Sequence, residues 1–243
     1  MFKIDRHPRG KFLLIFWVFF VVGCASTLPK EEVFERNQEH FDRRAQTYDK
    51  SFDQWVAFEP AHNLLLREAE KRGLSPEARI LDVASGTGIL ALRLAEKAPR
   101  GEIVGMDISP EMVEIANQKA EGFPNVEFVV GNVEAMPFPD ETFDVVTCSY
   151  SFHHFPDPDV ALEEIHRVLK KGGKLYIIDP YKAIPFGYVN WALDQIFEGP
   201  IWFQSARGFR KLYQQHGFQK IDQKRQLRRL GIVVPAILTV GTK

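Results

Sequence analysis

The sequence predicts an α/β fold: a doubly wound, mostly parallel sheet of seven strands, with N-terminal cap helices and a reversed C-terminal hairpin. Three observations carry the prediction. Apolar runs of strand length alternate with helix-patterned stretches from Arg79 to Ile178. Within them, Ile80–Gly88 (ILDVASGTG) reads as a buried strand feeding a tight small-residue turn into a helix. The last two strand-like stretches, around Gln219–Gln226 and Pro235–Gly241, have no helix between them and must pair antiparallel.

Taken in order, the chain opens on an unusual segment. Lys3, Arg6, Arg9 and Lys11 precede an unbroken apolar run from Phe12 to Val22, followed by Gly23-Cys24-Ala25-Ser26. A basic stretch, a short apolar run and small residues describe a secretory signal, and Val21-Val22-Gly23-Cys24 resembles the bacterial lipobox. The run is short for a bilayer-spanning helix. Residues 1–30 are therefore read as a lipoprotein signal anchored at Cys24, as an uncleaved anchor at the cytoplasmic face, or as sequence upstream of the true start. The folded domain is placed at 33–243.

From Val33 to Lys71 the pattern is helical. Phe34, Phe41, Tyr48 and Phe52 recur at helix-compatible spacing, and Leu64, Leu65, Leu66 and Ala69 form a second apolar face. Strand one is Arg79–Val83, with a helix from Ile89 to Ala98 stopped by Pro99, and strand two is Glu102–Asp107. Ser109 as N-cap, Pro110 in the first turn and Glu111 beside it start the next helix. Strands three and four are Val126–Val130 and Phe143–Cys148. Asp157-Pro158 opens a helix with Leu162, Ile165 and Leu169 on one face. Lys170 and Lys171 suit its C-terminal dipole and Gly172 stops it. Strand five is Lys174–Ile178. An aromatic-rich insertion, Ile184–Phe203, precedes the helix SARGFRKLYQQHGF.

The 243 residues are 45% hydrophobic and 26% charged, which suits one domain with a full core, and a net charge of −1 makes no case for a nucleic-acid partner. Of the two cysteines, Cys148 falls in an apolar strand, so no disulfide framework is expected. The His and acid positions show no metal-ligand spacing.

The small-residue turn admits more than one ligand. Asp107, at the end of the second strand, sits where an acid accepts hydrogen bonds from a ribose. Nicotinamide dinucleotides and S-adenosylmethionine both use such an acid, and the turn does not separate them.

The middle of the chain does. GNVEAMPFPDETFDVV followed by SYSFHHFPDPDVALEEIHRVLKKGGKLYIID resembles the class I, Rossmann-like S-adenosylmethionine-dependent methyltransferases, within the small-molecule family that includes the ubiquinone/menaquinone C-methylases. The resemblance covers roughly 41–243. It implies methyl transfer from S-adenosylmethionine to a small acceptor. It further implies that Asp82, Ala84, Ser85, Gly86 and Gly88 cradle the methionine part, that Asp107 holds the ribose, and that Ile108 lies against the adenine. The family's Gly-Asp-Ala segment stands here as Gly131-Asn132-Val133, and an Asn carbonyl oxygen accepts the adenine amino group without charge. Ser149 falls near the cofactor's amino-acid end, and Tyr48 helps to close the site or is a core aromatic. The quinone C-methylases carry an Arg-Asn-Val-type segment where His153-His154-Phe155 stands, which sets this chain apart from them.

For a hydroxyl or amine acceptor a base is useful. His153 and Asp179 fall at the C-terminal ends of neighbouring strands and are read as a base and its orienting partner. The structural alternative has one imidazole capping the turn and the other facing solvent. A nicotinamide-dependent oxidoreductase would leave the Asn132–Phe138 segment unexplained. A non-catalytic lipoprotein that keeps the fold as a binding module would account for residues 1–26. The aromatic insertion points to an apolar or aromatic acceptor.

Overall fold

A computed structural model of the chain describes residues 29–51, 54–181, 203–229 and 232–243. The aromatic insertion and residues 1–28, with their lipobox-like run, lie outside the described residues, as does Phe52.

Helix α1 (Lys30–Tyr48) leads through a π-helical turn (Gln54–Phe58) into α2 (Glu59–Lys71). Then come β1 (Arg79–Val83), α3 (Ile89–Lys97), β2 (Glu102–Asp107), α4 (Pro110–Lys119), β3 (Val126–Val130) and β4 (Phe143–Ser149). A 3₁₀ turn (Phe152–His154), α5 (Pro158–Val168), β5 (Leu169–Pro180), α6 (Ala206–Gln215), β6 (Gln219–Arg229) and β7 (Ile232–Thr242) complete the order.

The seven strands form one sheet in the order β3-β2-β1-β4-β5-β7-β6. The first five run parallel, whereas β7 is antiparallel to both β5 and β6. Strand order reverses between β1 and β4, so a crevice opens outside their C-terminal ends, which is where ligands bind in such sheets.

Each face of the sheet carries its own core. Leu65, Leu94, Val113 and Ala116 of α2, α3 and α4 pack with Ile80, Ile103 and Ile178. On the other face Leu162, Ile165, Phe209 and Tyr213 of α5 and α6 pack with Leu81, Val83, Val146 and Ile177. Neighbours in β1 thus serve opposite faces, the reason a parallel strand reads as an unbroken apolar run.

The start signals act as expected. Ser109 Oγ accepts the Met112 N–H at 3.1 Å, and Asp157 Oδ1 accepts those of Asp159 and Val160 at 3.2 and 3.3 Å. The end of α5 differs from the expectation. The helix stops at Val168, and Leu169 is already extended and paired with Phe143. Burial of Leu169 against β4 pulls the chain out of the helix before Lys170 and Lys171, so His166 and Arg167 occupy the last turn. Lys170 Nζ instead donates to Asp144 at 2.9 Å.

Candidate functional site at the strand ends

The β1–α3 turn sets the site. Ala84, Gly86 and Gly88 have positive φ of 51°, 53° and 82°. Ala84 carries a Cβ into this left-handed region, a strained conformation of the kind found at ligand sites. The turn is tied to the next strand: Asp107 Oδ2 accepts the Gly86 N–H at 2.7 Å, and Oδ1 accepts the Ser109 N–H at 3.0 Å.

Two adjoining cavities open over this turn. The larger, about 680 Å³, is bounded by Ala84, Gly86, Asp107, Ile108, Asn132 and Val133 below, and by Phe34, Asn37, Phe41 and Tyr48 of α1 above. Met106, Met112, Ser151, His154 and Phe155 complete its mostly apolar wall. The smaller, about 380 Å³, is lined by Tyr48, Gln54, Phe58, His62, Asp82, Ala84, Ser85, Gly86, Thr87, Ser149 and Ser151. Tyr48 stands between the two, its ring stacked on Phe58 at 5.9 Å and lying over Gly86.

The polar groups differ in kind between the cavities. Asp107 is only 6% exposed, and burial pushes its carboxyl up to about 6 against the three backbone N–H groups of Ser109, Gly86 and Ile108. Burial likewise pushes Asp82 up to about 7, opposed by the Thr147 hydroxyl, which donates to it at 2.6 Å. In the smaller cavity His62 Nδ1, Ser85 Oγ and Ser149 Oγ are buried without a hydrogen-bond partner. Burial, with Arg93 nearby, holds His62 down to about 3, so its imidazole is neutral. Orphaned buried polar atoms are costly and mark a place where a polar ligand completes the bonding. One cavity therefore suits an apolar ring system beside an acid, and the other a small zwitterion. These are the two ends of S-adenosylmethionine, and the residues present fit it.

The roof is fastened at several points. Asn37 Nδ2 donates to the His154 carbonyl at 2.8 Å, Thr87 Oγ1 donates to Asp49 at 2.5 Å, and Lys119 pairs with Asp49. Asp42 accepts from the Ser109 hydroxyl.

Most of the residues expected at the site converge here. Tyr48, Ala84 and Gly86 line both cavities; Asp82, Ser85 and Ser149 line the smaller; Asp107, Ile108, Asn132 and Val133 line the larger. Asn132 Oδ1 already accepts the Glu134 N–H at 2.9 Å, leaving its second lone pair for a ligand. Gly88 lines neither cavity. A Cβ there would meet the Phe128 ring at 2.5 Å, so this glycine makes room for β3 rather than for a ligand.

His153 Nδ1 and Asp179 Oδ1 lie 2.9 Å apart, both buried, with the Phe203 ring 5.2 Å from His153. Asp179 Oδ2 has no partner, and burial raises the Asp179 carboxyl while His153 opposes the rise. Neither residue lines either cavity. Neither histidine of the pair faces solvent: His154 lines the larger cavity, and burial, then His153, holds it well below its ordinary range. Cys148 is buried and unpaired. Among the described residues no cluster could hold a metal, and no helix is long and apolar enough to cross a membrane.

Sequence reasoning missed His62, Ser151, His154 and Asn37. Asn37 had a signal, because Phe34, Asn37 and Phe41 share a helix face at i, i+3 and i+7. That face reads equally as core.

Comparison with known proteins agrees with this geometry. Residues 81–177 match the model of a methyltransferase domain. A demethylmenaquinone methyltransferase of Chlorobaculum parvum is 37% identical over 167 residues, 60% of this chain and 68% of that one. The enzyme of the same name from Anoxybacillus flavithermus is 30% identical over 217 residues, 79% of this chain and 88% of that one. Among solved structures, the YcgJ protein of Bacillus subtilis aligns with a TM-score of 0.62 at 26% identity, covering 75% of this chain and 98% of that one. A Thermotoga maritima methyltransferase, described as a possible histamine N-methyltransferase, gives 0.64 at 25% identity, covering 84% and 98%. A strand–turn–helix cradle with a ribose-type acid, in a seven-stranded sheet with a reversed hairpin, in a chain with these relatives, leads to one conclusion: the chain belongs to the class I S-adenosylmethionine-dependent small-molecule methyltransferases.

Proposed function

We propose that the methyl acceptor is a small, apolar aromatic ring bearing a hydroxyl, of which the quinol-type ring in its relatives' names is one member. The observation that carries this reading is the buried His153–Asp179 hydrogen bond beyond the C-terminal ends of β4 and β5, set one ring behind the larger cavity: His154, which lines that cavity, has its ring 4.1 Å from that of His153. An imidazole oriented by a carboxylate is useful where the acceptor has a proton to lose. Phe58, Tyr150 and Phe203 add aromatic surface nearby: Phe58 lies 4.8 Å from Tyr150, and Phe203 lies 5.2 Å from His153.

We assign cofactor binding to the residues that meet in the two cavities. Asp107 accepts from the ribose hydroxyls, Ile108 and Val133 flank the adenine, and Asn132 accepts its amino group. Asp82, Ala84, Ser85, Gly86, Ser149 and Tyr48 hold the methionine part. When bound, S-adenosylmethionine supplies an electrophilic methyl group on a sulfonium. The chain's share is alignment and exclusion of water, worth about 7–11 kcal/mol where positioning is good. His153 takes the proton of the acceptor hydroxyl on Nε2, while Asp179, on Nδ1, fixes the tautomer and supports the imidazolium. Removing that proton raises electron density on the oxygen and on the adjacent ring carbons, so the same base serves O- or C-methylation. The place of action is the cytoplasm or the cytoplasmic face of the membrane, where S-adenosylmethionine is made.

The test is a panel of hydroxylated aromatic, quinol and amine acceptors with labelled S-adenosylmethionine, followed by kcat against pH. His153→Ala is expected to lower kcat by roughly 10²–10⁴-fold with cofactor affinity unchanged, and Asp179→Asn to cost less. Normal turnover of His153→Ala between about pH 6 and 9, or methylation of amines alone, would refute the reading.

A further inference from the structure

Four residues line both cavities: Tyr48, Ala84, Gly86 and Ser151. They mark the junction at which one cavity passes into the other. Sulfur is the atom that joins the adenosyl and methionine halves of S-adenosylmethionine. With one half in each cavity, as proposed above, the sulfonium falls at this junction.

The junction is rich in oxygen and poor in cations. Ser151 Oγ lies 3.1 Å from the carbonyl oxygen of Ser149 and 3.4 Å from that of Ala84, the residue held at a left-handed φ of 51°. A serine hydroxyl has one proton and two lone pairs. The proton is directed at these carbonyls, so the oxygen offers lone pairs to a ligand. Ser151 precedes the 3₁₀ turn Phe152–His154, yet its side chain makes no capping hydrogen bond there, so the hydroxyl is not what starts that turn. Asp107 lines one cavity and Asp82 the other, and no Lys or Arg is among the described residues that line either. His62, in the smaller cavity, and His154, in the larger, are both held neutral by burial. Nothing cationic in these walls therefore competes with a ligand cation for the oxygens.

We propose that Ser151 Oγ, with the Ala84 carbonyl beside it, seats the sulfonium and so makes the site distinguish the charged cofactor from its neutral demethylated product. The charge of a sulfonium is spread over the hydrogens of its attached carbons, and such C–H groups donate to oxygen lone pairs. The contact gains from the low local dielectric of a covered site. S-adenosylhomocysteine has lost both the charge and the methyl group, so it gains nothing from this oxygen. Methyl transfer thus switches the attraction off, which favours release of the product. The proposal rests on the cofactor placement given under the proposed function.

Calorimetric titration of the full chain with three ligands tests this: S-adenosylmethionine, S-adenosylhomocysteine, and sinefungin, in which a carbon bearing a protonated amine replaces the methyl-bearing sulfur. Ser151→Ala is expected to weaken S-adenosylmethionine by roughly two- to fivefold, the worth of a C–H···O contact. Sinefungin is expected to lose more, because a charged N–H is the stronger donor, while S-adenosylhomocysteine binds as it does to the wild type. Unchanged affinity for the product also shows that the variant is folded. Equal weakening of all three ligands would overturn the proposal and leave Ser151 a structural residue, and no change for any of them would overturn it as well. Asp107→Asn separates the seat from the placement on which it rests. The ribose is common to the three ligands, so this variant is expected to weaken them alike. If it leaves all three unchanged, the placement is wrong and the seat falls with it.

Discussion

Asp107 makes cofactor affinity depend on pH in a way that its surroundings fix. The free carboxyl ionises near 6 because burial outweighs its three backbone N–H donors. Ribose hydroxyls would add donors to the ionised form only, which draws the bound-state value back toward the ordinary range near 4. Binding then releases a proton below about pH 6. With a free value near 6, the competent ionised form is about one part in eleven at pH 5, so affinity at pH 5 should be about tenfold weaker than at pH 8. For folding the sign is reversed. A carboxyl raised from 3.8 to about 6 contributes stability fully present below pH 3.8 and lost as pH rises through 6, of order 3 kcal/mol. Asp107→Asn should weaken binding by roughly 10- to 150-fold, the worth of a charged acceptor, and flatten the profile. The amide also turns a donor toward Gly86 N–H or Ser109 N–H, so a modest loss of stability accompanies it. Calorimetric titration from pH 5 to 8 is the assay. Asp82, with its value near 7, titrates in the same window, so Asp82→Asn is the control and should retain the Asp107 step. A flat wild-type profile, or wild-type affinity in Asp107→Asn, would refute the reasoning.

Gly88→Ala should destabilise the fold by about 1–3 kcal/mol in thermal unfolding, because its Cβ would strike the Phe128 ring and its φ is positive. The Kd for cofactor should rise only as far as the turn shifts. His62→Leu should leave a folded protein less sensitive to acid: the buried neutral imidazole, held near 3, costs stability as pH falls below 6.5, and the variant has no such group. Chemical denaturation at pH 7 and pH 5 measures this, and an unchanged pH difference would exclude it. The same variant should bind S-adenosylmethionine more weakly if Nδ1 bonds the amino-acid end.

The sheet was legible from periodicity because its central parallel strands β1, β2 and β4 are buried on both faces and its helices carry capping residues such as Ser109 and Asp157. The floor of the site was legible for the same reason: the β1–α3 turn and Asp107 are adjacent by topology. Its roof was not. Phe34, Asn37 and Phe41 are spaced as a core face would be, and only tertiary packing turns them toward a cavity. His62 sits among leucines on α2, and nothing in the sequence separates a core histidine from one facing a ligand. Gly88 was legible as a required glycine but not for its cause, which is an aromatic ring arriving from β3. The end of α5 was misplaced because Lys-Lys-Gly is a good stop signal, while burial of Leu169 against β4 ends the helix at Val168, before that signal is reached.

The position of β7 bears on how the chain acquires its structure. It follows the other six described strands in sequence, yet it lies inside the sheet, between β5 and β6. During synthesis β1 to β5 emerge first, and until β7 arrives β5 has an open edge of unpaired N–H and C=O groups in an apolar setting. Strand β6, made earlier, has no sheet partner before then. The closing step joins residues far apart in sequence, such as Leu175 and Gly241, and such steps are slow. A nascent chain is therefore most prone to intermolecular strand pairing in the interval before β7 emerges.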